Sequence, residues 1–201
     1  MPGVKLSEAK IANLYGCSRS PVRAAFYELR VKGFLDSKPQ SGTFVSRIDL
    51  DRVEEIRFVR ESVEIAVLRI GIEKRLFLTK LPLLQANINE MVLAYEQKNM
   101  KRFTELDIMF HNILYAAAGK SFVRKYCGDD DVHYSRLRFM VTRDGANMQR
   151  TIDEHVQITE QIRSGSTEGV NELVSRHLNN IYNFLGRKDP ANADMFTGGQ
   201  F

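Results

Sequence analysis

Two cysteines, Cys17 and Cys127, stand in a chain of 201 residues. They are too few for a disulfide framework and offer no metal-ligating pair, so a reducing cytoplasm is the expected setting. No apolar run approaches the length that a membrane span needs, so no membrane partner is expected. Mean hydropathy is −0.30, and no signal-peptide pattern opens the sequence. Strand alternation is missing from about Asp49 onward. What the chain does have is 43% hydrophobic residues, enough for a packed core in one large domain or two small ones. Net charge is only +4, but it is unevenly spread. Residues 1–47 carry eight Lys/Arg against three Asp/Glu, and the remaining 154 carry 21 against 22. Such a basic N-terminal segment suits a polyanionic partner, because binding to phosphates is driven by counterion release.

That basic segment reads as helix, tight turn, helix over residues 6–29. Ser7 can cap the first helix by accepting an orphan amide, and Ile11 and Leu14 give it an apolar side. Gly16 supplies the backbone freedom of a sharp turn. Ser18 can cap the second helix, whose first turn tolerates Pro21 because no intrahelical donor is lost there. Val22, Ala25, Phe26 and Leu29 follow at helical spacing and are expected to pack inward. Arg19, Ser20 and Arg23 then point outward near the helix start, the part of a recognition helix that meets base edges. Arg suits bidentate contact with guanine, and Ser can serve bases or phosphates. After Gly33, two short apolar runs flank Pro39-Gln40-Ser41-Gly42, which is a hairpin signal. A hairpin directly after a helix-turn-helix is a wing. The candidate DNA contacts are Lys10, Ser18, Arg19, Ser20, Pro21, Arg23, Gln40, Ser41 and Gly42.

The run as a whole resembles the winged helix of GntR-family bacterial repressors. The resemblance is carried by Pro2, Gly3, Leu6, Ser7, Glu8, Ala12, Gly16, Ser18, Arg19, Val22, Arg23, Ala25, Leu29, Gly33, Gly42, Thr43, Phe44 and Val45. It implies double-stranded operator DNA as the partner. Two departures stand out. Family members usually carry one more helix before the Pro-Gly, so the winged helix is expected to be truncated, with Ile11, Leu14 and Phe26 partly exposed. The family often has Arg after the Ser-Glu pair, where this chain has Ala9 with Lys10 beside it.

From Asp51 onward helical periodicity dominates. The expected helices are Asp51–Leu78, Pro82–Gln97, Met100–Ala118, Ser121–Tyr126, His133–Thr142, Asn147–Arg163 and Thr167–Leu185. The first carries a stripe of Val53, Ile56, Val59, Val63, Val67 and Ile70, and an acidic loop, Asp129-Asp130-Asp131, precedes the fifth. Phe58, Met91, Phe139, Met140 and Met148 are expected in the core. The expected fold is mostly α: a truncated winged helix-turn-helix over residues 1–47, then an antiparallel all-α bundle of six to seven helices over 48–186. A loose polar tail over 187–201 follows.

Polar residues on the inner faces of the bundle carry the chemistry. Asp107 and His111 are four apart, on a helix face shared with Phe103, Phe110 and Leu114. His155 lies among Ile152, Ile158 and Ile162, and His177 among Leu173, Val174, Ile181 and Leu185. A buried, ionised carboxylate is normally paired or bound to metal. Any one of these histidines alone reads as an ordinary core or helix-face residue, but the four together favour a divalent metal, Zn first, with Ni or Mn as alternatives. His133 follows the aspartates and reads as solvent-facing. The four histidines recur every 22 residues, but their flanks share nothing and no repeat is implied.

These positions are similar to the ligand-binding domain of the FadR-type subgroup of the same family, the FCD domain. The matching stretches are Asp107 with His111, Glu154-His155 with Ile158, and His177-Leu178. The resemblance implies that Asp107, His111, His155 and His177 hold a divalent metal which anchors a small carboxylate effector. It also points to Arg60, in an Arg60/Glu64 context, as a residue that reaches the effector's carboxylate, although an i,i+4 surface pair explains it equally well. Arg138 and Arg136 are further candidates. The leading expectation is a ligand-responsive repressor acting as a homodimer, since two recognition helices must reach two half-sites. The alternatives are a metal-dependent hydrolase using the Asp/His₃ set as a Lewis acid and an effector-binding dimer with impaired DNA binding. No general base is evident for the enzyme, because Glu154 adjoins His155 but helix neighbours point in different directions.

Overall fold

A computed structural model describes residues 1–127, 131–185 and 190–199. The chain divides into two compact units. One comprises Met1–Val53 with Asp131–Tyr134 and Lys188–Phe201, and the other comprises Glu54–Asp130 with Ser135–Arg187.

The first unit is a winged helix. Strand β1 (Lys5–Leu6) leads into α1 (Glu8–Leu14) and α2 (Arg19–Val31), followed by β2 (Leu35–Lys38) and β3 (Gly42–Val45). The sheet order is β1-β3-β2, all antiparallel, with Leu35 opposite Val45 and Lys5 opposite Phe44. Ser7 caps α1 as expected, its Oγ accepting the Lys10 amide at 3.4 Å. Ser18 stands at the head of α2 in extended backbone, but its side chain makes no capping hydrogen bond. The turn between the helices has Gly16 at φ +60°, where a side chain would be strained. The core is Ala12, Val22, Phe26 and Leu35, with Leu6, Ile11 and Val45 packed against it. Phe26 is therefore buried, as its helical spacing implied and not partly exposed as a truncated winged helix implied, with Leu35 and Val45 of the hairpin in the same core. Leu14 is 76% exposed, and Ala25 and Leu29, expected inward, face solvent.

A two-stranded parallel sheet also belongs to this unit, where neither strand was anticipated. It pairs β4 (Ile48–Asp49) with β5 (Phe196–Thr197), burying Ile48 and Phe196. Residues 190–199 thus hold ordered structure in place of the expected loose tail, and Gly199 donates its amide to Asp51 at 3.1 Å. The rest of that tail call, residues 187–189 and 200–201, lies outside the described residues, as do Asp129 and Asp130. His133 is tied in rather than solvent-facing: it is half-buried, and its Nδ1 accepts the Asp49 amide at 3.1 Å.

The second unit is all-helical. Its helices are α3 (Leu50–Glu73, from Glu54 onward), α4 (Leu81–Glu96), α5 (Met100–Ala117), α6 (Ser121–Arg124), α7 (Val132–Val141, from Ser135 onward), α8 (Gly145–Ser164), α9 (Val170–Leu178) and α10 (Asn180–Leu185). Helix α4 packs on α5 and α8, and α8 packs on α9. Met91, Phe103, Phe110, Leu84 and Ile162 lie at the centre of the core. Asn99 and Asp144 cap α5 and α8 through their side chains.

Four expectations shift here. Helix α3 stops five residues early: Arg75 adopts φ +54°, and the Phe77 ring folds back onto Gly71, where a Cβ would come within 1.9 Å of it. The inward stripe of α3 is rotated from the predicted one. Val53, Arg60, Glu64, Val67, Leu68 and Ile72 are buried, whereas Val59 is exposed. The last expected helix breaks at Asn179 into α9 and α10, turning Asn179 toward Arg57 (3.3 Å) and Asn180 toward Glu154 (2.6 Å). Of the expected core side chains, Met91 and Met148 are buried, Met140 is half-buried, and Phe58 and Phe139 are exposed.

Candidate metal centre and DNA-reading helix

Helix α2 presents its N-terminal turn to solvent. Ser18, Arg19, Ser20, Pro21 and Arg23 are all exposed, as are Lys10 on α1 and Gln40, Ser41 and Gly42 at the tip of the hairpin. Val22 and Phe26, four apart, anchor the opposite face of α2 in the core, and this fixes which side chains point out. Arg23 Nε lies 3.4 Å from Glu8 Oε2 in an exposed pair. Two further cations escaped the sequence reading. Lys5 and Lys38 flank the Phe44 ring at 5.9 and 5.5 Å, so basic side chains stand on the two strands either side of β3.

In the helical unit the structure brings Asp107, His111, His155 and His177 together. One ligand atom from each lies within 4.8 Å of all the others, and all four residues are buried. Asp107 and His111 come from successive turns of α5, His155 from α8 and His177 from α9. His111 Nε2 and His177 Nε2 are 3.2 Å apart. His155 Nε2 lies 3.4 Å, and His111 Nε2 3.8 Å, from Asp107 Oδ1. Asp107 Oδ1 and both His155 nitrogens make no hydrogen bond among the described residues. Buried polar atoms without partners are rare.

Charged neighbours hold this cluster from behind. Arg138 on α7 donates to Asp107 Oδ2 from Nε (3.0 Å) and Nη2 (2.5 Å). Burial alone would raise the Asp107 carboxyl, but Arg138 and the histidines outweigh it and hold it well below the usual carboxylate range. Arg60 is 2% exposed and donates from Nε to Glu64 Oε1 at 2.7 Å. This i,i+4 pair lies in the interior and not on the surface. Glu64 Oε2 in turn lies 3.1 Å from His111 Nδ1. Burial pushes Glu64 up, but Arg60 and His111 outweigh it and hold it well below its ordinary value. Glu154 Oε2 is 2.9 Å from His177 Nδ1. Burial pushes His111 down to about 4, against the pull of Glu64. His155 is driven well below its ordinary value by burial and by His177 beside it. Its ring stacks on Phe110, centroids 3.8 Å apart and planes 7° from parallel. Arg136 is half-buried on α7.

Sequence reasoning found the four clustered residues and named Glu64 and Glu154 without giving either a place beside the cluster. The available signal was the helical periodicity itself: Glu64 is one turn after Arg60 on the inward face of α3, and Glu154 falls on the buried face of α8 with Ile158.

Comparison with known proteins agrees with both halves of this description. Residues 1–45 match the model of the bacterial regulatory proteins of the gntR family, and residues 55–180 match the FCD domain. The HTH-type transcriptional repressor RspR of Escherichia coli is 26% identical over 196 residues, covering 98% of this chain and 86% of its own length. An HTH-type transcriptional regulator of Streptomyces ambofaciens is 25% identical, covering 98% and 82%. Among solved structures, Escherichia coli McbR/YncC has a TM-score of 0.63 at 18% identity, over 90% of this chain and 88% of that one, which is a likeness of fold. These relatives are regulators, which sets aside the hydrolase reading, and no helix is long and apolar enough to cross a membrane among the described residues. The chain is a DNA-binding transcriptional regulator of the gntR family, in the branch whose second domain is an FCD domain.

Proposed function

We propose that this regulator is a homodimeric repressor whose operator binding responds to a small organic acid held at a divalent metal in the helical unit. The observation that carries the proposal is the convergence of four buried ligand atoms, of which Asp107 Oδ1 and His155 Nε2 have no hydrogen-bond partner among the described residues. Three imidazoles and one carboxylate form a donor set that suits Zn and also accommodates Ni or Mn. Asp107, His111, His155 and His177 would hold the ion. A divalent ion there supplies a Lewis-acidic position for a carboxylate oxygen of the effector. With neutral histidines, the buried carboxylates of Glu64, Asp107 and Glu154 against the guanidiniums of Arg60 and Arg138 leave one negative charge. Adding a dication turns that into one positive charge, which favours an anionic ligand. Arg138 steadies Asp107, and Arg60 steadies Glu64, so in this arrangement both arginines support the ligand shell rather than reaching out to the effector.

In the winged unit, Arg19, Ser20 and Arg23 read bases in the major groove. Ser18, Pro21 and Lys10 line the approach, and Gln40, Ser41 and Gly42 bring the wing to the backbone. Dimerisation supplies the second half-site reader. The repressing sense is supported by the name of the Escherichia coli relative. The acid acts by binding one arrangement of the dimer better than another, shifting the population that fits the operator.

The test is a titration of the purified chain against DNA from upstream of its own gene, at low and high salt, with excess nonspecific competitor. Zn²⁺, a chelator and a panel of small carboxylates are then added in turn. Competitor-resistant, salt-dependent binding that a carboxylate weakens only when Zn²⁺ is present is the expected result. Binding that vanishes with competitor, or that ignores both Zn²⁺ and every acid, would overturn the proposal.

A further inference from the structure

We infer that Glu154 and Glu64 are positioning residues of the metal centre: each fixes the tautomer of one histidine so that its Nε2 lone pair faces the ion. This rests on the metal reading above and extends it to residues outside the ligand set. Both carboxylates meet a histidine at Nδ1, Glu64 at His111 (3.1 Å) and Glu154 at His177 (2.9 Å). An ionised carboxylate only accepts hydrogen bonds, so each Nδ1 must carry the proton and donate it. Each Nε2 is then a bare acceptor. The structure places those two acceptors 3.2 Å apart. Two lone pairs facing each other at that distance repel, and a cation between them turns the repulsion into ligation. Fixing the outer nitrogen of a metal-bound imidazole by a carboxylate also raises its basicity.

The third histidine is held differently, and the contrast sharpens the assignment. His155 Nδ1 has no hydrogen-bond partner among the described residues, and its ring is aligned by stacking on Phe110. Among the described residues, His111 and His177 are therefore the histidines of the cluster whose Nδ1 meets a carboxylate. Glu154 is itself fixed, because Asn180 Nδ2 donates to the same Oε2 at 2.6 Å. This contact exists because the chain breaks after α9 at Asn179, which gives the split between α9 and α10 a role in the site. Glu64 is fixed in the same sense by Arg60.

The experiment uses the full chain, stripped of metal and titrated with Zn²⁺ against a chromophoric chelator. The variants are Glu154→Ala, Glu154→Gln and, as a structural control, Asn87→Ala, which removes an equally buried polar side chain from α4. Glu154→Ala is expected to weaken Zn²⁺ binding about 10- to 100-fold, the range typical of outer-shell partners. Glu154→Gln should lose less, because its carbonyl can still accept the Nδ1 proton. Asn87→Ala should lower the melting temperature of the metal-free protein and leave Zn²⁺ affinity within about twofold of wild type, well short of an outer-shell loss. Nitrogen-15 NMR of the His177 ring in metal-free protein should report the Nδ1–H tautomer in wild type and a mixture in Glu154→Ala. Wild type that binds no Zn²⁺ would overturn the metal reading and this inference with it. Wild type that binds Zn²⁺ beside a Glu154→Ala protein of equal affinity and unchanged tautomer would overturn the role of Glu154 alone.

Discussion

In the winged unit Lys10, Arg19, Arg23 and Lys38 reach solvent, whereas in the helical unit Arg60, Glu64, Asp107, Arg138 and Glu154 are withdrawn from it. The first arrangement costs little. An exposed pair such as Arg23 with Glu8 contributes at most about 1 kcal/mol and can be traded for a phosphate or a base at small loss. The second is expensive unless every charge has a partner, because desolvating an ion in an interior costs several kcal/mol even after relaxation. One chain thus holds exposed cations in one unit and, in the other, a buried charge network of the kind the proposed metal site needs. The difference teaches where each unit can be damaged: the winged unit by removing exposed side chains whose contacts within the protein are weak, and the helical unit by removing almost any member of its buried network.

The largest effect is expected from Asp107→Ala. It removes a proposed metal ligand and one half of the buried Arg138–Asp107 pair, and breaking such a pair costs about 3–5 kcal/mol. Chemical denaturation of the helical unit should register that loss, and Zn²⁺ uptake should fall more than the roughly 100-fold upper range of an outer-shell change. A variant of wild-type stability would show that the interior charges are not mutually dependent, and the contrast between the units would fail. Next comes Arg19→Ala with Arg23→Ala. Each should cost about 1–3 kcal/mol of operator binding if it reads a base, with the melting of the helical unit and its Zn²⁺ uptake unchanged. Operator affinity within error of wild type would remove these two residues from the reading head.

How much of this was legible in the sequence follows from how local each feature is. The helix-turn-helix could be read because its determinants sit within a few residues of one another: Ser7 three before Lys10, Gly16 in the turn, Val22 and Phe26 one turn apart. Asp107 and His111 were legible for the same reason, and His155 and His177 because each sits in a clear apolar stripe. The stripe of α3 was misplaced because a count of apolar side chains skips Arg60 and Glu64; Glu64 holds its inward position through His111 on α5, and Arg60 through Glu64. Glu154 was dismissed by comparing it with its neighbour His155, yet its partner is on α9, across the packing of two helices. Phe58 and Phe139 show the converse: size and apolarity pointed inward, and nothing local revealed that their helix faces are turned outward. The strand Phe196–Thr197 depends on Ile48–Asp49, some 150 residues away, with no periodicity of its own.

Acid should separate the two units further. His111 is pushed down to about 4 by burial, partly opposed by Glu64, and His155 is pushed down as well. In the unfolded chain a histidine titrates near about 6.5. As pH falls through that value the unfolded state takes up protons that the folded unit refuses. Each such histidine then costs the folded state up to about 1.4 kcal/mol per pH unit until its own folded pKa is reached. Asp107 and Glu64, held below their ordinary range, act in the same direction once the pH passes below about 4. Stability of the metal-free helical unit, measured by denaturant unfolding, should therefore fall steadily from neutral pH toward pH 4. A flat or rising profile would mean that the histidines are not held neutral inside, and the description of the interior network would have to be redrawn.

The smallest effect is expected in the reading head. Ser7 caps α1 with a long hydrogen bond of 3.4 Å to the Lys10 amide, so Ser7→Ala should cost about 0.5 kcal/mol, the low end for an N-cap. Helix α1 packs on α2 through Ala12, which lies against Val22 and Phe26. Loosening the start of α1 therefore frays the support of the recognition helix without touching a DNA contact. Operator affinity should drop by less than about threefold, with its salt dependence unchanged, because no phosphate contact is lost. A larger loss, or a shallower salt slope, would mean that Ser7 itself meets the DNA. The cations of α2 would then have to share the backbone contacts with the N-terminus of α1.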